Sequence, residues 1–148
     1  MNRYIHTIYC DDVRLEVGNK QSLMGIYASE LWVSDCPVML PKICIVVNVS
    51  TPVDQPFKKL ILRITKDDEV LIEAPLIGDQ QQDIQQGFIE NGNEQDDPDR
   101  RIAIVGTFVL SPFNIEKNSV LRVLADTEIG ELKGSPLKIK IGQHPLAV

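Results

Sequence analysis

The feature that most constrains the fold is a period-two alternation of apolar and polar side chains that recurs through residues 43–77. Successive side chains of a β-strand point to opposite faces, so this alternation predicts strands with one buried face. β-branched residues are frequent in the runs 43–50, 60–65 and 70–74, as is typical of strands. Turn-forming residues separate the runs, among them Asp67 and Asp68. The stretch is predicted to be a meander of three antiparallel strands.

The same alternation recurs on both sides of this stretch and predicts an all-β chain. Eight or nine strands are expected, with turn signals every 8–12 residues and no amphipathic helix. This pattern is typical of a single-domain antiparallel β-sandwich of immunoglobulin-like or Greek-key type spanning residues 1–148. A β-barrel is the alternative architecture.

Several local patterns lead to more specific expectations. Residues 23–33 are interpreted as one long strand in which Gly25 marks a bulge or a close backbone approach. Two prolines make residues 34–41 an irregular, extended crossing without ladder pairing. Residues 102–110 are apolar on both faces, which predicts a strand buried between layers. Residues 115–118 are interpreted as a helical turn.

The ends of the chain carry two further signals. An interruption of the first strand is expected at residues 10–12, after the aromatic and β-branched run 4–9. The last strand, 137–141, turns Lys138 and Lys140 outward, which is the protection used by an edge strand.

Residues 79–101 differ in composition from the rest of the chain. They are rich in Gln, Asn and Asp and contain few apolar residues. Such a segment cannot bury much surface, so a long, mobile loop is expected here.

Composition and charge exclude several classes of function. A chain of 148 residues with 43% hydrophobic residues can bury a core without disulfides. It has no run of about 18 apolar residues and no signal-peptide pattern, and its three cysteines have no C-x-x-C spacing, so a cytoplasmic protein with reduced thiols is expected. The net charge of −6 argues against direct binding of nucleic acid or of an anionic membrane.

The residues needed for catalysis are not grouped in the sequence. The two histidines, His6 and His144, lie at opposite ends, and no G-x-S-x-G, H-E-x-x-H, Walker or dinucleotide-binding motif occurs. We therefore expect a non-enzymatic protein without a cofactor.

Carboxylates and aromatic side chains leave one alternative function open, a sandwich that binds calcium or carbohydrate. Several oxygen ligands on converging loops could hold Ca²⁺, and exposed aromatic rings could stack on a sugar. The weak candidates for calcium ligands are Asp67, Asp68, Asp96, Asp97 and Asp99.

The N-terminal third carries a recognisable pattern. Residues 9–16 read Y-C-D-D-V-R-L-E, residues 20–27 read K-Q-S-L-M-G-I-Y, and Leu40-Pro41-Lys42 follows. With its C-D-D-x-R-x-E-x-x-x-K-x-S-L-x-G-x-Y pattern, the chain resembles an uncharacterised family of short bacterial and prophage-borne proteins. The resemblance implies a cytoplasmic, bacterial or phage-encoded context, and it implies no activity or site residue.

Together these patterns predict a module that binds another protein, with self-association as one form of that binding. A phage- or prophage-encoded modulator of a host protein is its concrete form. Aromatic side chains supply much of the binding energy when they lie in interfaces. The residues expected to contact the partner are Tyr27, Trp32, Asp67, Asp68, Asp96, Asp97 and Asp99.

Overall fold

The computed structural model describes residues 2–77 and 99–146, and these residues form strands and connections without a helix. The strands are β1 (Tyr4–Glu16), β2 (Lys20–Ile26), β3 (Glu30–Val33), β4 (Val38–Leu40), β5 (Ile43–Pro52), β6 (Leu60–Lys66), β7 (Glu69–Pro75), β8 (Arg101–Leu110), β9 (Phe113–Ile115), β10 (Ser119–Thr127), β11 (Gly130–Lys133) and β12 (Leu137–Ile141).

Two sheets pack face to face as a β-sandwich. Sheet A has the order β2-β1-β5-β8, and sheet B has the order β3-β12-β10-β6-β7, with β11 also paired to β10. β1, β5 and β8 take the positions of strands A, B and E of an immunoglobulin-like domain, while β7, β6, β10 and β12 take those of C′, C, F and G. The predicted fold class is therefore confirmed, and the sheets do not close into the alternative barrel. The expected eight or nine strands are too few, because short strands were missed.

The core lies between the inward sides of the two sheets. The largest side chains that are fully buried come from β5, β6, β9, β10 and β12 and from the connection before β6, where Phe57 lies. Buried and more exposed positions alternate along most of β6, β10 and β12, so each of these strands turns one face to the core. β5, which lies between β1 and β8 in sheet A, is buried on both faces over most of its length.

The predicted three-stranded meander is wrong in one respect. β6 and β7 pair as an antiparallel hairpin with a turn at Asp67-Asp68, as expected. β5 instead belongs to sheet A and pairs with β1 and β8. The connection 53–59 contains a proline and is long enough to cross the roughly 10 Å between stacked sheets, so adjacency in sequence did not mean adjacency in a sheet.

Four other expectations near the N-terminus and the prolines are corrected. β1 runs without interruption through residues 10–12. The long strand predicted for 23–33 is two strands, β2 in sheet A and β3 in sheet B, separated at 27–29. Residues 38–40 form β4, which pairs with β9, so part of the 34–41 crossing does have ladder bonds and Ile115 is in a strand rather than a helical turn. Local sequence did not reveal these two short strands, because each is stabilised by the other.

The exposure of the two late strands also differs from expectation. β12 is not an edge strand, because it lies between β10 and the parallel strand β3. Its outward lysines face solvent from the middle of a sheet. β8 is not covered on both faces, since Val105 and Val109 are exposed on its outward side. Of the loop expected at 79–101, residues 79–98 lie outside the described residues and β8 begins at Arg101.

Candidate functional site

The most distinctive element of the structure is a hairpin arm, defined here as residues 11–26. β1 pairs with β5 only as far as the partners Cys10 and Cys44, whereas β1 and β2 remain paired to Glu16 and Lys20. The distal half of the β1–β2 hairpin therefore projects beyond the end of β5. Its turn, residues 17–19, uses positive φ angles at Gly18 and Asn19.

The base of the arm is fixed by a close approach of β2 to β1. Gly25 has a φ of +68°, and a Cβ atom there would lie 2.2 Å from Oδ2 of Asp11. The other Asp11 oxygen accepts a 2.5 Å hydrogen bond from the Tyr27 hydroxyl. Burial, followed by this hydrogen bond, raises the pKa of Tyr27. Gly25 therefore marks a close backbone approach, as the sequence predicted.

A second contact holds the outward side of the same base. Lys42 donates a 2.5 Å hydrogen bond to Asp12, and both side chains are about two-fifths exposed. The hydrogen bond from Lys42 holds the pKa of Asp12 below its usual value. Exposed pairs of this kind contribute little stability by themselves, so the contact orients the arm more than it anchors it.

The tip of the arm reaches back to β8. Nε2 of Gln21 donates a 3.1 Å hydrogen bond to Oγ1 of Thr107, an outward-facing residue of β8. Because β5 lies between β1 and β8 in sheet A, the arm must turn across the outward side of β5 to make this contact. Cys10, Cys44 and Val46 face outward on β1 and β5 but are nevertheless buried, as expected beneath such a cover.

A groove remains between the arm tip and β8, and we call it the arm groove. It encloses about 560 Å³ and is lined by Leu15, Glu16, Asn19, Lys20, Gln21, Val105 and Thr107. Leu15 is 79% exposed and Val105 is 54% exposed. Two apolar side chains thus face water inside a concave surface, next to one acidic and one basic residue.

Exposed apolar side chains concentrate on this side of the molecule. Of the twelve large hydrophobic side chains that are exposed in the described ranges, eight belong to β1, β2, β8 or the turn of the arm. They are Tyr4, Ile8, Leu15, Val17, Met24, Ile26, Val105 and Val109. Single exposed apolar residues are normal on any protein, whereas a concentration on one face marks an interaction surface.

The aromatic residues predicted to contact a partner have separate environments. Tyr27 packs against the core and gives its hydroxyl to Asp11, so it supports the base of the arm. Trp32 lies on β3, at the edge of sheet B. Its Nε1 donates to Glu30, Lys140 lies over its ring with Nζ 5.5 Å from the centroid, and His144 meets the ring edge-on. The hydrogen bond from Trp32, and then that from Lys140, lower the pKa of Glu30.

The aspartates predicted to bind a partner or calcium do not form one group: Asp67 and Asp68 lie in the β6–β7 turn, whereas Asp99 lies before β8. Asp67 has a φ of +53°, and its Oδ1 accepts a hydrogen bond from the backbone of Val120, so it shapes the β6–β7 turn. Asp68 is exposed in the same turn and Asp99 is exposed before β8. Asp96 and Asp97 lie outside the described residues. In the described ranges, no three His, Cys, Asp or Glu side chains come close enough to hold a metal ion.

The structure brings Trp32 and the Asp67-Asp68 turn to the same end of sheet B. Trp32 is the register partner of Lys140, and the next residue of β12 bonds to Asn118, directly before β10. The backbone N–H of Asp67 donates to the carbonyl of Val120 near the start of β10, and its Oδ1 accepts from the backbone N–H of Val120. His144, for which the sequence predicted no contact, packs edge-on against the ring of Trp32 at this end.

A second group of charged residues, centred on Arg3 and Glu128, lies at the other end of the sandwich. The sequence did not predict that these residues would meet. The Arg3 side chain is 3% exposed and forms a 2.6 Å ion pair with Glu128. Burial alone would raise the pKa of Glu128, but the hydrogen bond from Arg3 and nearby backbone N–H groups lower it to about 2. Arg3 also stacks on Phe57 and donates to Thr51, Gln55 and Pro56. This group fastens the N-terminus to the sandwich.

Sequence reasoning did not identify the residues of the arm groove as a candidate site. Leu15 and Val17 continue an apolar alternation with Val13, yet both side chains are exposed. The available signals were the Gly18-Asn19 turn and Gly25, which together delimit the hairpin.

The comparisons add no relative: no protein-family model matches the chain, and no curated protein is detectably similar to it. The part of the chain that the structure describes has no helix with the length and apolar character required to span a bilayer.

Proposed function

We propose that the chain is a non-enzymatic module that binds another protein through the outward side of sheet A and the hairpin arm. The observation that carries this proposal is the concentration of exposed apolar side chains on these strands, whereas only Met39, Val70, Ile129 and Leu146 are similarly exposed elsewhere in the described ranges. Burying such side chains in an interface releases about 25 cal/mol for each Å² of apolar surface.

The distribution of charge supports an interface of this kind. Six of the 21 acidic residues and none of the 15 Lys and Arg residues fall within residues 78–98. The described ranges therefore carry equal numbers of acidic and basic residues, so their net charge favours neither a strongly acidic nor a strongly basic partner. Such a surface favours a partner that is bound mainly through apolar contacts with a polar rim.

The N-terminal pattern supports a more specific role. If the resemblance to bacterial and prophage-borne proteins reflects common descent, the partner is a protein of the bacterial host and the chain modulates it in the cytoplasm. In the described ranges, Arg101 lies over the ring of Tyr4 on sheet A and Lys140 lies over the ring of Trp32 on sheet B, so one face of each ring is already occupied. We therefore favour protein binding over carbohydrate binding.

The experiment is affinity capture of the tagged chain from a bacterial lysate, with mass spectrometry to identify and count the captured proteins. Ile26→Asp and Val109→Asp place charges on the outward side of sheet A, and Val70→Asp is the matched control on sheet B, with exposure similar to that of Val109. We expect a stoichiometric partner with the wild type and the control, and loss of that partner with both sheet A variants. A partner that all three variants retain would exclude this surface.

A further inference from the structure

The arm groove has features that select a particular partner. We propose that it is the interface of a symmetric dimer, in which the groove of one copy receives the arm tip of a second copy of this chain. This inference rests on the proposed function, because it identifies self-association as the protein binding that the groove performs.

The first argument is the exposure of the groove's apolar residues. Leu15 and Val105 line the groove from the arm and from β8, and Val17 lies at the arm turn with 93% of its surface exposed. Across a two-fold axis, the same patch meets itself, so the apolar residues of each copy would cover those of the other. Each copy would thereby supply both the projecting tip and the concave surface that receives it.

The second argument is the charge of the groove. Among the lining residues, only Glu16 and Lys20 are charged, and they are register partners at the end of the hairpin. A two-fold axis that runs through this pair places Glu16 of each copy beside Lys20 of the other. A strongly acidic or basic partner would satisfy one of these residues and repel the other, whereas a second copy satisfies both.

The third argument concerns the competing way to dimerise, which is pairing along an exposed strand edge. β2 is an edge strand among the described strands. Gly25, with a φ of +68°, makes β2 irregular near one end and Lys20 places a charge at the other. Irregular backbone and lysine are features that protect an edge from pairing, so the groove is a better surface for self-association than the β2 edge beside it.

The first experiment is sedimentation velocity of the full chain from about 1 to about 200 µM, a range that detects micromolar association. We expect a concentration-dependent species of twice the 16.6 kDa monomer mass. Leu15→Glu and Val105→Glu should weaken the dimer by about tenfold or more, because each buries two charges near the axis. Ile129→Glu is the control, since Ile129 is similarly exposed but lines a different cavity.

The second experiment tests the reciprocal charge pair. Glu16→Lys and Lys20→Glu should each weaken self-association about fivefold, because each variant places like charges opposite each other twice. An equimolar mixture of the two variants should recover wild-type affinity within about twofold, since every pair in the mixed dimer is again of opposite sign. Thermal unfolding of each variant checks that its fold is intact.

The possible outcomes separate the two proposals. A chain that stays monomeric to about 200 µM overturns the dimer. So does a dimer that persists in both Leu15→Glu and Val105→Glu, or a mixture that associates no better than its components. If the chain is monomeric and these variants abolish capture of a host protein, the groove binds that protein instead: the dimer proposal fails and the proposed function stands. If the wild type captures no host protein but dimerises, and the groove variants weaken the dimer, the dimer proposal stands and binding of a host protein fails.

Discussion

Replacing Arg3 with Met should destabilise the sandwich more than any change to its surface ion pairs. The guanidinium forms an ion pair with Glu128, stacks on Phe57 with Cζ 4.5 Å from the ring centroid, and donates to Thr51. Met preserves much of the apolar contact with Phe57 but removes every donor. The change therefore isolates the polar role of Arg3 from its packing.

The expected loss follows from the exposure of the two partners. Removing one member of a buried ion pair costs about 3–5 kcal/mol, because the remaining charge is left unpaired. Arg3 is 3% exposed but Glu128 is 21% exposed, so water can solvate the carboxylate that remains. We expect a loss of about 2–4 kcal/mol at neutral pH, or roughly 10 °C in Tm for a domain of this size.

The pH dependence of stability gives a second, independent measure of the Arg3–Glu128 interaction. The pKa of Glu128 is lowered from its ordinary 4.5 to about 2 in the folded protein. A group with a depressed pKa stabilises the fold fully above its unfolded pKa, and this contribution is lost as the pH falls from about 4.5 to about 2. A pKa shift of this size contributes at most about 3 kcal/mol to the free energy of unfolding, and screening at the partly exposed carboxylate reduces this contribution to about 1–2 kcal/mol. Arg3→Met should remove this part of the acid sensitivity.

Urea denaturation at several pH values between 7 and 2 measures both quantities. The control is Arg63→Met, because the Arg63–Glu73 pair on the outward side of sheet B is 3.3 Å long and more exposed, and it should change stability by less than about 0.5 kcal/mol. The reasoning is refuted if Arg3→Met costs less than about 1 kcal/mol, or if the variant keeps the wild-type slope between pH 4.5 and 2.

Three further predictions concern the arm and the alternative function. In the native protein the exposed Cys36 should react rapidly with Ellman's reagent, and the buried Cys10 and Cys44 should react slowly. All three thiols should react in denaturant. Two or more fast thiols in the native protein would mean that the arm does not cover Cys10 and Cys44. Gly25→Ala should lower the free energy of unfolding by about 2 kcal/mol or more, because the new Cβ clashes with Asp11 and the positive φ is strained. Gly18 also has a positive φ but has open space around it, so Gly18→Ala should lower it by about 1 kcal/mol. Equal losses in urea denaturation would contradict the close approach at Gly25. Millimolar calcium should leave Tm unchanged, and a calcium-dependent rise would favour the metal-binding alternative.

The strands were visible in the sequence because alternation depends only on each strand having two different faces. β6, β10 and β12 alternate between core and solvent, and each was predicted from its own residues. Partners were harder to predict because pairing depends on residues far apart in the chain. β5 and β6 are neighbours in sequence but lie in different sheets, and β3 pairs in parallel with the last strand.

The candidate site was hidden for a related reason. Alternation shows that a strand has an apolar side, but it does not show whether another layer covers that side. Ile5 and Tyr9 of β1 face the core, and Tyr9 is buried with its hydroxyl bonded to the backbone of Ser135. Leu15 continues the same alternation beyond the end of β5, where no second sheet lies opposite it, and it is exposed. The hairpin can therefore be predicted from the sequence, whereas the residues that surround it are determined by the fold.

The bend of the arm connects these observations to function. Gly25 allows β2 to approach Asp11 at the base, and Gln21 reaches Thr107 at the tip, so the arm covers Cys44 but stops short of covering Val105. Burying a side chain such as leucine is worth about 1.5–3 kcal/mol, and this gain is not realised at Leu15 in a single copy. Gly18 and Asn19 form the turn with positive φ angles, and the hydrogen bond from Gln21 to Thr107 holds the tip against β8. A tip that is already held in place loses less conformational entropy on binding, which suits the arm groove to association.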